Sequence, residues 1–457
     1  MPGQTILLDL EARIAGTVIR PGAPGYDDAR SVWNARIDRH PQAIVRCASA
    51  DDVIATLAAL KGIGLPVSVR SGGHDFAGKS VCDGIVIDLS AIDFVEVDPE
   101  HRRARVGPGV RWGRFDREAQ RHGLATTGGT VSTVGIAGFT LGGGTGWLSR
   151  RFGHALDNLR AAEVVLVSGQ RVRASADENP DLFWALRGGS GNFGIVTAFE
   201  YQLHEVGPKV LGGQIIYPWS AAHEVLRFFR DFMPSAPDAL QCYPFTFTAP
   251  PIDPFPKQLH GKSAISLIPG WTGPITEGER VVDSLRNFGS PAVDTVGVLD
   301  YVALQQSFDA GLPKGLRWLS RAHYLNSLTD ETIETVVTHT ESIPGAYTSV
   351  YFEPYGGAVA RIAPGATAFP HRHPAFGFHI LAGWADRAQD ETNFAWVNSF
   401  NQAMSKHVTG GVYVNLLSDD EAERVPAAYG ENFFTLRDIK KRYDPENFLH
   451  SNQNIPT

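Results

Sequence analysis

A single histidine set in a glycine-dense loop is the sharpest chemical signal in the chain. The loop, Arg70 to Gly78 (RSGGHDFAG), lies between two β-branched runs, Pro66 to Val69 and Ile85 to Leu89. Glycines let successive amide N–H groups converge on an anion, so the loop reads as a phosphate cradle. Backbone amides alone can hold a phosphate. His74 therefore asks for chemistry of its own, unless it is a neutral loop histidine bonding the anion. Gly73 to Ser80, GHDFAGKS, also matches the nucleoside-triphosphate loop G-x-x-x-x-G-K-[ST]. That motif needs a helix directly after its lysine and serine. Here Val81 to Gly84 and the strand-like IVIDLS follow, so triphosphate hydrolysis stands only as an alternative from outside the class. A second group is Ser349 to Glu353, SVYFE, where alternation puts Tyr351 and Glu353 on one strand face. Glu353 is the candidate general base, or a carboxylate for a substrate amine, or the cap of the PYGG turn that follows. Arg321, His323 and His371 are weaker pocket candidates. The pair His371-x-His373 finds no third ligand in the sequence, so no metal is expected.

These residues need elements to position them. Ser49 can cap a helix from Ala50 to Lys61, after a short strand, Ala43 to Cys47. Further strands are expected at Ala104–Val106, Ala162–Val167 and Ile195–Tyr201, and helices at Trp112–His122 and Asn179–Arg187. A second glycine-rich segment, residues 127–146 (TGGTVSTVGIAGFTLGGGTG), is built for close backbone approach, to a ligand or to another element. Gly189 to Gly194, GSGNFG, fits the dinucleotide fingerprint but follows a helix and precedes a strand. That inverts the Rossmann order, so it reads as a tight turn. From Gly207 the texture changes. Strands at 210–216, 263–269, 348–352 and 376–384 alternate with amphipathic helices at 220–232, 276–288, 330–339 and 391–406. Near the end, Leu436, Ile439 and Tyr443 at helical spacing, then Asp444-Pro445, predict a helix with a defined stop. The expected fold is α+β and two-lobed. Residues 1–206 form one domain, 207–405 a second built on an antiparallel sheet, and 406–457 return to the first.

The bulk properties narrow the function classes. A chain of 457 residues with 43% hydrophobic and 20% charged residues suits two globular lobes. The net charge of −8, with no basic block, argues against a nucleic-acid partner. Three scattered cysteines, Cys47, Cys82 and Cys242, make neither a disulfide framework nor a zinc site. No signal peptide or spanning segment is read, so the expected location is cytoplasmic, without a membrane partner and as a monomer or homodimer.

RSGGHDFAG followed by IVIDLS resembles the pyrophosphate loop of FAD-linked oxidases related to berberine bridge enzyme. The tail, Tyr413-Val414-Asn415 and then YGENFFTLRDIKKRYDPENFLHSNQNIP, resembles that family's closing signature. With motifs near both ends, the resemblance covers essentially the whole chain. It implies the two-lobed vanillyl-alcohol oxidase-type fold, and FAD joined covalently from His74 to the flavin 8α carbon. It also implies a small organic alcohol or amine as substrate and dioxygen as acceptor, with a flavin-dependent dehydrogenase or oxygenase of secondary metabolism as the alternative within the class. Cofactor-binding positions implied by the loop are Arg70, Ser71, Gly72, Gly73, His74, Asp75 and Ala77. The second glycine segment and its neighbours add Gly129, Ser132, Val134, Gly135, Gly138, Gly142, Gly144, Trp147, Asn158 and Val196. The tail adds Tyr413, Asn415, Asn452 and Asn454. Many members carry a second link from a cysteine to flavin C6. Aligned through Thr133-Val134-Gly135, that position is Val131 here, which implies the branch with one link. Val134 holds the position that borders the dioxygen approach. Leu416 stands where sugar-oxidising members have a tyrosine base.

Overall fold

The computed structural model describes residues 2–457, with side chains from Ile6 onward. Its fold is α+β and rests on three main sheets. The first has the order Thr17–Ile19, Ala43–Arg46, Ile85–Asp88, Val67–Arg70, and its last three strands run parallel. Ser49 caps the helix Ala50–Leu60 by accepting a hydrogen bond from the Asp52 amide, as its sequence position requires. The parallel neighbours Val67–Arg70 and Ile85–Asp88 are joined by the histidine loop with no helix between them. Lys79 and Ser80 therefore lack the helix N-terminus that a triphosphate loop needs.

The second sheet is antiparallel: Val95–Asp98, Arg103–Val106, Ile195–Gln202, Leu159–Val165, Arg171–Ser175. Between its strands the second glycine segment folds into a short helix, Ile136–Gly142. Isolated, so glycine-rich a helix would be unstable. Here Ile136, Ala137 and Leu141 are buried in the main core, and packing decides the conformation.

The third sheet is the large antiparallel one. Its path runs Val293–Asp294, Ile215–Pro218, Ser263–Trp271, Leu240–Thr248, Ser349–Pro354, Phe376–Trp384, Arg317–Leu325. One face is covered by the helices Ala222–Phe232, Ile275–Arg286, Asp330–Thr340 and Asp390–Met404, and this interface is a single apolar core. Val350 and Phe352 face that core, so their neighbours Tyr351 and Glu353 project from the opposite face. Two of the sheet's longest strands, Leu240–Thr248 and Arg317–Leu325, were not expected from the sequence. Both carry polar groups (Gln241, Thr246, Arg321, His323) at buried positions, which erases the apolar signature of a strand. The run expected as one strand over 210–216 is two, Lys209–Gly212 and Ile215–Pro218, broken at Gly213 with φ 142°.

The C-terminal helix, Phe433–Tyr443, ends at Asp444. Lys440 and Asp444 form a fully buried pair at 2.6 Å. The Lys440 ammonium also donates to Asn192 O and Leu449 O, and Asp444 accepts from the Phe448 and Leu449 amides. Ionic groups this deep persist because every donor and acceptor is used. The tail then runs against the Gly189–Gly194 turn, where the Ile455 amide donates to Asn192 Oδ1 at 3.0 Å.

Candidate active site

A cavity of about 360 Å³ lies where the histidine loop, the second glycine segment, the Gly189–Gly194 turn, the tail and the large sheet converge. Its wall is made where two glycine loops, far apart in sequence, touch backbone to backbone. A Cβ on Gly72 would stand 2.6 Å from the Gly135 backbone, and one on Gly135 would stand 2.7 Å from Gly72. No other residue type fits at either position. The loop is stapled internally by Asp75, which accepts from the Ala77 amide at 3.0 Å and the Ser80 amide at 2.7 Å. Its carboxylate is thereby committed to structure.

His74 lines the cavity and is half-buried, while its Nε2 is buried and has no hydrogen-bond partner. Loss of water, with the Arg111 charge adding to it, pushes the imidazole pKa down to about 3. The ring is therefore neutral at any ordinary pH, with a lone pair free. Buried polar atoms in folded proteins are almost always satisfied. Beside this cavity His74 Nε2, Ser80 Oγ and Asn452 Oδ1 are not. The cavity's other end is apolar: Phe76, Leu312, Leu381 and Leu416 line it, with Tyr351 from the large sheet. Burial, with the Glu353 charge second, raises the Tyr351 phenol well above its usual range, so it stays protonated.

Of the positions expected from the sequence, Ser71, Gly72, Gly73, His74, Asp75, Gly129, Val134, Gly135, Gly138, Val196, Tyr351, Tyr413, Asn415 and Asn452 all line this one cavity. The others sit behind the wall, and each has a visible reason. Arg70 pairs with the buried Asp88 at 2.8 Å and donates to Ala29 O, supporting the loop from beneath. Ala77 is buried in the loop's own turn. Ser132 donates through its amide (2.7 Å) and hydroxyl (2.6 Å) to Asp309. Gly142 makes room for the Asn415 amide, which a Cβ would meet at 2.0 Å. Gly144 donates its amide to the Tyr413 hydroxyl at 2.8 Å. Trp147 is buried against Tyr243 and Phe308. Asn158 ties Phe152 O and His154 O to the His204 ring. Asn454 lies beyond the wall, its Oδ1 buried and unpartnered.

Glu353 stands apart from the lining residues. It shares the sheet face of Tyr351 but is only 3% exposed and does not line the cavity. Its Oε2 lies 3.6 Å from Nε2 of His379, and the His379 ring in turn packs on Tyr351 at 4.7 Å. The weaker candidates also move away. Arg321 is bound by Asp420 at 2.6 Å, His323 by Asn401 at 2.6 Å, and His371 donates to Ala427 O and Ala428 O. Among the described residues no group of three His, Cys, Asp or Glu could hold a metal.

Sequence reasoning missed Lys79, Ser80, Leu312 and Leu381 on the wall. Lys79 and Ser80 were legible only as part of the discarded triphosphate motif. Leu312 and Leu381 are apolar residues in apolar or loop contexts and give no signal.

Amide-rich glycine walls, an apolar group of lining residues and unpaired polar atoms around one cavity suit a dinucleotide cofactor with a planar ring. A family model described as "FAD binding domain" matches residues 41–175, and one described as "Berberine and berberine like" matches residues 412–456. The chain is 32% identical to an uncharacterised FAD-linked oxidoreductase, YvdP, of Bacillus subtilis, over 97% of this chain and 98% of that one. It is 32% identical to (R)-6-hydroxynicotine oxidase of Paenarthrobacter nicotinovorans, with 97% of each chain covered. The crystal structure of 6-hydroxy-D-nicotine oxidase from Arthrobacter nicotinovorans superposes with a TM-score of 0.87 at 30% identity, covering 97% of this chain and 98% of that one. The protein is an FAD-linked oxidoreductase, and it belongs to the berberine bridge enzyme-like family.

Proposed function

We propose that this enzyme is an oxidase carrying FAD joined covalently through His74 and nowhere else. It would take two electrons from a small organic alcohol or amine and pass them to dioxygen, releasing peroxide. The observation that supports the reading most is the neutral His74 imidazole on the cavity wall, its Nε2 buried and unbonded. Val131, at the second-link position, has no thiol to offer. Bound FAD supplies the two-electron acceptor, which the amino acids lack.

The chain's own residues supply the rest. Backbone amides of Ser71 to Asp75 would hold the pyrophosphate, and Gly135 and Gly138 give a flat wall for the ring. Asn415 and Asn452 close the site from the tail. Phe245, Phe308, Leu312, Leu416 and Tyr351 are half-buried around the apolar end, which favours a substrate with an apolar or aromatic body over a sugar. Tyr351 meets that substrate, and Glu353, on the same strand face but outside the cavity lining, would accept the proton leaving the substrate heteroatom by way of the Tyr351 hydroxyl. Val134 sits on the wall where dioxygen would approach. We further propose residues 1–206 with 406–457 as the cofactor domain and 207–405 as the substrate domain. A cytoplasmic location and a monomeric or homodimeric state complete the reading. They rest on the charge of −8 and on three buried, unpaired cysteines.

The test combines two measurements. Denatured protein should keep its flavin fluorescence on an acid gel and lose it in His74→Ala. Substrate-reduced enzyme should release peroxide in air. Fluorescence that persists in His74→Ala rejects the link, and reduction without peroxide rejects the oxidase.

A further inference from the structure

The His74 ring is held by a residue far from it in sequence. The Trp33 indole stacks on the His74 imidazole with ring centroids 4.1 Å apart and planes 19° from parallel. Trp33 stacks in turn on Trp318 of the large sheet, at 4.7 Å and 14°. Three flat rings thus run in one column from the histidine loop to the sheet. Trp33 is itself fixed on three sides. Its indole N–H donates to Leu312 O at 3.1 Å, its amide donates to Gly73 O at 2.8 Å, and its carbonyl accepts from the Gly315 amide at 3.2 Å. The next residue, the buried Asn34, continues the bridge. Its side-chain amide donates to Phe76 O and Trp318 O, and its Oδ1 accepts from the Trp318 amide. Residues 33 and 34 form a strap whose partners alternate between the histidine loop and the 312–318 segment.

We infer that Trp33 is a positioning residue for His74: its anchored indole fixes the plane of the imidazole at the cavity wall and ties that plane to the sheet that carries the substrate end. The inference rests on the reading that His74 carries the cofactor link. Two features of the column support it. A stacked pair of planar rings restricts rotation about the histidine Cβ–Cγ bond more tightly than aliphatic packing does. The imidazole Nε2 has no hydrogen-bond partner, and the ring's one other hold is a local backbone hydrogen bond, so the Trp33 stack is the long-range contact that orients it. A reacting atom that must meet a carbon at bonding distance gains much of its rate from such prior orientation.

The test is a set of variants of the full-length enzyme, read by the covalent share of bound FAD. Total FAD is measured after proteolysis, and the covalent part after acid denaturation. In Trp33→Leu the covalent share should fall at least fivefold, while total bound FAD stays within twofold. Trp33→Phe, which keeps an aromatic face, should recover more than half of the covalent share. Should Trp33→Leu fail to fold, Trp33→Met fills more of the space without a ring and takes its place. The decisive readout is coupling. In a His74→Ala background, Trp33→Leu should change the affinity for FAD less than twofold, because the residue it positions is gone. An unchanged covalent share in Trp33→Leu overturns this inference alone. So does a loss of FAD affinity of twofold or more on adding Trp33→Leu to His74→Ala, which marks Trp33 as general packing. FAD released on denaturing the unsubstituted enzyme overturns both this inference and the reading it rests on.

Discussion

Gly138 offers a perturbation whose two effects have opposite signs. It sits inside the helix Ile136–Gly142, is exposed, and lines the cavity. A Cβ built on it meets nothing within 4 Å. In Gly138→Ala the cofactor-free protein should therefore gain the ordinary helix advantage of alanine, about 0.5–1 kcal/mol. For a chain of this size that raises Tm by about 0.5–1 °C. The same methyl stands where a planar ring would lie against the wall. Overpacking of that kind costs about 1–3 kcal/mol, so FAD should bind roughly 5- to 150-fold more weakly. Gly72→Ala is the counterpart. Its Cβ would collide at 2.6 Å with the Gly135 backbone, so it should destabilise the free protein and weaken FAD together. The assay is calorimetry of the cofactor-free proteins, plus an FAD titration in a His74→Ala background, where binding is reversible. A Gly138→Ala protein that melts earlier and binds FAD normally would refute the assignment of this helix to the cofactor wall.

Three further outcomes follow from the same geometry. Glu353→Gln should lower turnover by roughly 10²–10⁴-fold with FAD content unchanged, as steady-state rates and the flavin absorbance will show; normal turnover would leave Glu353 a structural partner of His379. Val134→Leu should slow reoxidation of the reduced enzyme in air-saturated buffer by stopped flow; equal rates would remove Val134 from the dioxygen path. Burial holds His154 down at about 3 and His323 at about 4, so the folded protein binds fewer protons than the unfolded chain below about pH 6.5. Stability should therefore fall as pH drops from about 6.5 toward 4, with a slope near 3 kcal/mol per pH unit from these two groups. The buried Asp116, raised by desolvation to about 7, works the other way over pH 4–7 and offsets about half of that slope. A urea series that finds no loss between pH 6.5 and 4.5 would show the two histidines to be charged in the fold.

The parts of the site that depend on backbone chemistry were legible in the sequence. Glycines at 72, 73, 129, 135 and 138 mark close approach, and all five reach one cavity. His74 stood out because a glycine cradle has no use for an imidazole. What escaped is contact between segments distant in the chain. Trp33 reads as one more aromatic residue in SVWNARIDRH, and nothing in its neighbours signals a stack on a ring 41 positions away. Glu353 shows the limit of periodicity. Alternation gave its face correctly, but the His379 ring on the neighbouring strand sets how far that face opens to the cavity. The strands Leu240–Thr248 and Arg317–Leu325 were hidden for a related reason. Their inward polar groups find partners only in the folded chain, such as Asp420 for Arg321 and Asn401 for His323.

The central claim, a covalent cofactor on His74, is tested most directly by mass spectrometry of one peptide. Trypsin cuts after Arg70 and Lys79 and releases Ser71–Lys79, SGGHDFAGK. From the purified enzyme this peptide should appear with the added mass of one flavin, and fragmentation should put that mass on His74. The bare peptide in full yield, with all flavin free in solution after denaturation, would contradict the account.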